Sequence, residues 1–314
     1  MSSDFAYGVH SIDGGAPSSH VSHEIHRILS RATEVDGTAP LSEQAVKAVD
    51  DGDEVVRLVA TEGDRVVGYV GIADGMAEVV VDPPSRGRGV GSELVSRALD
   101  VASGTRVWAH GNLPAAQAVA ARLGLTVVRE LLQMRRAAAH PDLPDVVVPD
   151  GITLRTYRGH QDDAELLRVN NAAFSWHPEQ GGWTDRDIAS RRDESWFDPA
   201  GLFLAFEEGS DRLLGFHWTK VHSAQDRVVP QAPLLPAEGV EPAIGEVYVV
   251  GIDPQSQGRG LGRVLTLAGL HYLRNRELGQ IMLYVEADNT AAVHTYTKLG
   301  FENFHVDAAY ARNV

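Results

Sequence analysis

One segment occurs twice in this chain: VDPPSRGRGVG from Val81 to Gly91, and IDPQSQGRGLG from Ile252 to Gly262. Each copy follows a β-rich run, AEVVVD or EVYVVGID, and opens an amphipathic helical pattern. A strand that runs through glycine-spaced backbone into a helix gathers unpaired N–H groups at the positive end of the helix dipole, which suits an anion such as a phosphate. Two copies about half a chain apart indicate duplication of one domain rather than a solenoid, whose repeats are far shorter.

With 314 residues, 43% of them hydrophobic, the chain has room for two ordinary domains. Lys and Arg total 28 against 43 Asp and Glu, a net charge of −15, and that field repels nucleic acid and anionic membrane surfaces. An anionic small ligand therefore needs a local basic patch, and Arg86, Arg88, Arg259 and Arg263 supply one at each loop. Cysteine is absent, which removes disulfides, thiolate nucleophiles and Cys-ligated zinc. The 13 histidines are scattered without ligand spacing, so no metal is expected. No apolar run is long enough to span a bilayer and the N-terminus lacks the pattern of a signal peptide, so the expectation is a cytoplasmic protein with no membrane partner.

Residues 1–20 read as a poorly ordered tail. From 21 to 137 the periodicities give a helix, a short helix near Ser42 to Val49, and a hairpin over Glu54–Thr61 and Arg65–Ile72. The loop strand and its helix follow, then a strand at Arg106–Ala109, a helix over Ala115–Leu123, and a final strand pair ending near Arg136. Prolines interrupt both periodicities over 138–150, the expected linker, and the pattern restarts over 151–314. The fold class is α+β: two tandem domains, each a mixed, mostly antiparallel twisted sheet flanked by helices. A proline-rich insertion between His222 and Gly245 breaks the symmetry and is either a lid or an irregular excursion.

The order strand, glycine loop, helix, strand, then N-x-x-A-x-x-x-Y (Asn289, Ala292, Tyr296) before Leu299–Gly300–Phe301 resembles the GCN5-related N-acetyltransferase (GNAT) superfamily. That resemblance implies acetyl-CoA as co-substrate, with its pyrophosphate on the glycine loops and its pantetheine arm along the preceding strands. It implies contacts from Val79, Val80, Val81, Gly87, Arg88, Gly89, Val90, Gly91 and Ser92 in the first half. In the second half it implies Val250, Gly251, Ile252, Gln257, Gly258, Arg259, Gly260, Leu261, Gly262, Arg263, Asn289, Thr290, Ala291, Ala292, Val293 and His294. The segments VWAHG, AELLRVNNAAF, HPEQGGWT, SWFDP, LLGFHWTK and LYVEADN are similar to a tandem branch of the superfamily that acetylates the cysteinyl amine of Cys-GlcN-Ins, a cysteine linked to glucosaminyl-inositol. Carried over from that branch, Glu43, Glu179, Lys220, Glu246 and Tyr284 contact the acceptor. Glu43 also suits the first turn of a helix, where it favours the dipole. His177 and the exposed Trp183 fall in a loop whose glycines mark a functional segment.

The loops, placed in register, put Glu246 opposite Gly75; the Leu–Gly pairs put Tyr296 opposite Ala120. Only the second half then carries a general base, Glu246, and a general acid, Tyr296. Glu78 sits nearer its loop, at another height on the strand. The first half is expected to bind acetyl-CoA, a second, non-reacting molecule, without catalysis. Without a nucleophilic cysteine, the amine attacks the thioester directly in a ternary complex of a monomeric enzyme. Two other readings stay open: transfer to another small amine or peptide N-terminus, and a non-enzymatic acyl-CoA sensor.

Overall fold

The computed structural model describes residues 7–12, 16–50, 55–101, 104–176, 180–222 and 243–313. In the first half, β1 (Gly8–Ile12) precedes α1 (Ser19–Asp36) and α2 (Glu43–Asp50); then come β2 (Val56–Glu62), β3 (Arg65–Ala73), β4 (Met76–Val81), α3 (Val90–Val101), β5 (Arg106–Ala109), α4 (Pro114–Leu123) and β6 (Leu125–Ala137). The second half runs β7 (Ile152–Thr156), α5 (Asp163–Ala173), α6 (Asp185–Arg192), β8 (Leu202–Glu207), β9 (Leu213–His222), β10 (Ile244–Ile252), α7 (Leu261–Arg274), β11 (Gln280–Glu286), α8 (Thr290–Lys298) and β12 (Glu302–Arg312). The local signals are ordinary. Ser18 caps α1 by accepting the Val21 N–H, and Gly37 ends it at φ 67°, where a side chain would be strained.

The described strands join into one twelve-stranded sheet in the order β1-β2-β3-β4-β5-β12-β6-β11-β10-β9-β8-β7. Only β4–β5 and β10–β11 pair in parallel. Two expectations change. Residues 8–12, assigned to the tail, form β1, whose edge pairing with β2 satisfies its backbone. The strand pair expected to close the first half is a single strand, β6, whose neighbours both come from the second half: β11 on one side and β12 on the other. Strand β12 in turn lies against β5. Each half thus completes its sheet with the last strand of the other.

Alternate residues of β2 and β3 separate the two faces. Val59, Val66 and Tyr69 pack with α1 and α2, whereas Leu58, Ala60, Val67 and Val70 pack with α3 and α4. The second half repeats this, with α5 and α6 over Leu204, Phe216 and the fully buried Trp218, and α7 and α8 over Ile281, Leu283 and Val285. The four helices α1, α2, α5 and α6 therefore share one face. Between the two pairs, the middle strands present polar side chains: Gln133 of β6, Tyr284 of β11, Glu246 of β10 and Asp307 of β12.

Candidate active site

Strands β4 and β5 are hydrogen-bonded only from Met76 to Glu78, and β10 and β11 only from Ile244 to Val247. Beyond those points the parallel strands diverge, leaving one edge of Val79–Val81 and of Val249–Ile252 unpaired. Such an edge accepts an extended amide-bearing ligand as it would another strand. At the end of each wedge the glycine loop turns into α3 or α7. Gly87 and Gly89 have φ of 76° and 93°, and Gly258 and Gly260 have 80° and 77°, conformations open to glycine at little cost. A Cβ at Gly87, Gly258 or Gly260 would meet nothing, so these positions face open space where a phosphate can approach the backbone.

Both loops are braced from behind by a buried aspartate. Asp82 is held by Arg27, Arg31 and Arg65, and Asp253 by Arg168 at 2.8 Å and Arg212 at 3.7 Å. Burial alone would raise the Asp253 pKa, but the Arg168 hydrogen bond and the Gln255 N–H outweigh it and hold the carboxyl below its usual value. The basic residues differ between the halves. Arg86 forks onto Asp36 with two 2.7 Å hydrogen bonds, and Arg88 meets Glu62 at 2.9 Å. Arg259 and Arg263 have no ion-pair partner among the described residues. The second loop thus keeps more positive charge for an anion.

In the second half Glu246 is 8% exposed and lies cross-strand from Lys220. Just past it the β9–β10 register slips between Val247 and Val249. Such a bulge re-aims the following backbone, here at the mouth of the wedge; β4 pairs with β3 without one. The Glu246 Oε2 lies 2.6 Å from His222 Nε2. The Lys220 ammonium sits 4.9 Å from the Trp196 ring centre and 5.8 Å from that of Tyr248. Tyr284 is 43% exposed along its ring, but its hydroxyl end is enclosed and accepts the Gln133 amide at 2.6 Å. Burial of that end raises its pKa, the Gln133 hydrogen bond opposes the rise, and the charges of Glu246 and Asp307 add to it. Tyr296, on α8, packs its ring edge-on to Phe301 at 5.8 Å, and burial pushes its pKa up to about 12. It stays protonated at any physiological pH, as a proton donor must.

The first half holds a cavity of about 380 Å³ lined by Val79–Val81, the glycine loop and Trp108–His110. Glu78 accepts the Ser42 N–H and Oγ–H at 2.6 and 2.8 Å and meets His110 at 3.0 Å; His110 in turn lies 3.7 Å from Asp307. Burial would lower the His110 pKa, but Asp307 and Glu78 push it up to about 9. Ala120, opposite Tyr296, is buried and offers no hydroxyl.

The structure therefore brings Lys220, Glu246 and Tyr284 to one face of the sheet. Glu43 stands in the first turn of α2, exposed and paired with Lys47 at 2.8 Å, whose charge also feels Glu194 beyond α6. Asn289 caps α8 by accepting the Ala292 N–H, with Thr290 to His294 forming the first turns behind it. Glu179 and His177 lie outside the described residues, as does the insertion over 223–242. Trp183 is not exposed as its loop suggested. It is 6% accessible because Asn171 clamps its backbone with two hydrogen bonds and its ring packs edge-on to Trp218 at 6.4 Å. His222, Gln133 and the His110–Asp307 pair escaped the sequence reading. Only the glutamate one strand away marks His222, and the other three come together by pairing between the halves. Among the described residues no group of three or more His, Asp or Glu could hold a metal ion.

Two splayed parallel strand pairs, each ending in a glycine loop at a helix N-terminus, define a tandem acyl-CoA transferase fold. The chain belongs to the acetyltransferase (GNAT) family, whose sequence profile matches residues 22–125 and 168–301. It is an acetyl-CoA-dependent acetyltransferase. Within the family it is 60% identical to the mycothiol acetyltransferase of Rhodococcus opacus, over 92% of this chain and 94% of that one. Its fold matches a GCN5-related N-acetyltransferase from Sphaerobacter thermophilus at a TM-score of 0.66 and 21% identity, over 96% and 94% of the two chains. A tandem GNAT protein of the clavulanic acid pathway matches at 0.62 and 17% identity, over 97% and 98%.

Proposed function

We propose that the second half transfers the acetyl group of acetyl-CoA to the cysteinyl amine of Cys-GlcN-Ins, the last step of mycothiol biosynthesis. The observation that carries this reading is the placement of Glu246, Lys220 and Tyr284 on one polar face beside the bulged, splayed strand β10. The high identity to mycothiol acetyltransferases supports the choice of acceptor. Pantetheine lies along Val250, Gly251 and Ile252, and the pyrophosphate on the backbone from Gln257 to Arg263, with α8 closing over the arm from Asn289 to His294. The first half holds a second acetyl-CoA along Val79–Val81 and Gly87–Ser92, and does not react. The enzyme acts as a monomer in the cytoplasm.

Glu246 takes a proton from the cysteinyl ammonium, directly or through water. The nitrogen lone pair attacks the thioester carbonyl carbon, whose oxygen charge is met by a backbone N–H of β10. The tetrahedral intermediate collapses with cleavage of the carbon–sulfur bond, Tyr296 supplies a proton or hydrogen bond to the departing thiolate, and the second proton of the attacking nitrogen passes to solvent, which reprotonates Tyr296 where it has donated. The products are the N-acetyl amide and CoA. An α-amine with a pKa near ~8 is already partly neutral at physiological pH, so much of the rate comes from holding amine and thioester together.

The test is a panel of amines followed by mass spectrometry: Cys-GlcN-Ins, cysteinamide, a peptide N-terminus and a polyamine, each with acetyl-CoA. The reading expects Cys-GlcN-Ins to have the highest kcat/KM by at least about 100-fold, because the truncated acceptors forfeit the sugar contacts. A peptide or polyamine that matches it would replace the acceptor and keep the fold.

A further inference from the structure

Glu78 occupies, on β4, the side of the sheet that Glu246 occupies on β10, but every interaction it makes is internal. A carboxylate enclosed to this degree, with its side chain 14% exposed, costs free energy unless its acceptor sites are filled. They are filled by Ser42 and by His110. Ser42 directs both its N–H and its Oγ–H at the two Glu78 oxygens, while its Oγ also accepts the Ala45 N–H at 3.2 Å and its carbonyl the Val46 N–H at 2.9 Å. It thereby starts helix α2 at a fixed place and angle. The next residue is Glu43. On the far side His110 leads to Asp307 of β12, which also accepts the Gly111 N–H at 2.8 Å and meets His305 at 3.0 Å. Asp307 also acts on Tyr284, the phenol beside Glu246.

We propose that Glu78 is a positioning residue for the acceptor. It fixes the N-terminus of α2, and with it Glu43, on the side of the sheet that carries the polar face, and it ties that helix start through His110 to the last strand of the other half. The proposal rests on the reading of Glu43 as an acceptor contact, and it gives the first half a task in the second half's reaction. Glu43 has no other anchor of this kind. Its partner among the described residues is the exposed Lys47 one turn on, so its placement depends on the backbone that Ser42 holds.

Three variants, Glu78→Ala, Ser42→Ala and Glu43→Gln, are measured by steady-state kinetics with Cys-GlcN-Ins and with cysteinamide, which lacks the sugars, and by amide hydrogen exchange. The expected result for Glu78→Ala is a rise in acceptor KM of about ten-fold with Cys-GlcN-Ins, from loss of a charge-assisted anchor. The kcat, the acetyl-CoA KM and the cysteinamide rate stay within about two-fold, and exchange accelerates over α2 alone. Ser42→Ala follows in the same direction with a smaller rise. A general loss of fold would lower both acceptors together and accelerate exchange across the sheet, which overturns the assignment. Wild-type exchange over α2 in Glu78→Ala also overturns it, whatever the acceptor proves to be. If α2 loosens but KM holds, Glu43→Gln separates the faults: an unchanged KM there condemns the acceptor reading, and a raised one condemns only the clamp.

Discussion

Glu246 and Glu78 are carboxylates on the strand before a glycine loop, and their neighbours separate their roles. Both side chains are mostly buried, but Glu246 meets His222 at one oxygen, whereas Glu78 spends both oxygens on Ser42 and His110. Replacing Glu246 by Gln should lower kcat about 100-fold near pH 6, where the amine is protonated, and much less near pH 9, with calorimetric acetyl-CoA affinity unchanged. A flat pH dependence with lost CoA affinity would remove it as the base. Two histidines shape stability against pH. His217, fully buried under α7, donates from Nδ1 to the Leu265 carbonyl, and burial lowers its pKa to about 4. The unfolded chain takes up that proton first, so stability falls as pH drops from about 6.5 to 4 by roughly 3 kcal/mol, and His217→Gln should flatten the limb. His110 acts oppositely. Its pKa is raised to about 9 by Asp307 and Glu78, so its contribution is complete below about 6.5 and is lost as pH rises through 9. Urea midpoints measured across pH check both limbs. Superposing the two repeats singles out Glu246 and Tyr296 as groups that the first half lacks. His222 was not legible, because cross-strand proximity leaves no spacing in the chain.

Among the elements, the glycine loops were the most legible, since φ near 80° and an open helix N-terminus require that spacing. The bulge at Tyr248 was not legible, because no residue type demands it; it follows from the way β9 and β10 pair. Helix α7 shows why one glycine outside the loop matters. Gly269 lies directly on the His217 ring, and a Cβ there would collide with the imidazole. Gly269→Ala gains helix propensity, but overpacking against a buried, immobile ring should cost about 3 kcal/mol. Denaturant unfolding should show a lowered midpoint with an unchanged slope. A more stable variant would mean that α7 can move away from β9.

At the scale of the whole molecule, the duplication was plain in the sequence but the interlock was not. Periodicity identifies a strand at Leu125–Ala137 without naming its neighbours, and both are more than a hundred residues away, in β11 and β12. A segment cut to residues 151–314 would lose β6 from between β11 and β12 and β5 from the other side of β12, exposing three unpaired edges. It should aggregate on expression, and the intact chain should unfold in one calorimetric transition; two separate transitions would mean that the halves stand alone. The account depends most on there being one working site. Single-turnover transfer from acetyl-CoA to Cys-GlcN-Ins, followed by mass spectrometry in wild type, Gly89→Val and Gly260→Val, tests it directly. The predicted result is N-acetylated product from wild type and Gly89→Val, and a loss of about 100-fold or more in Gly260→Val, whose side chain occupies the phosphate seat. Equal losses in the two variants, or a loss confined to Gly89→Val, would contradict it.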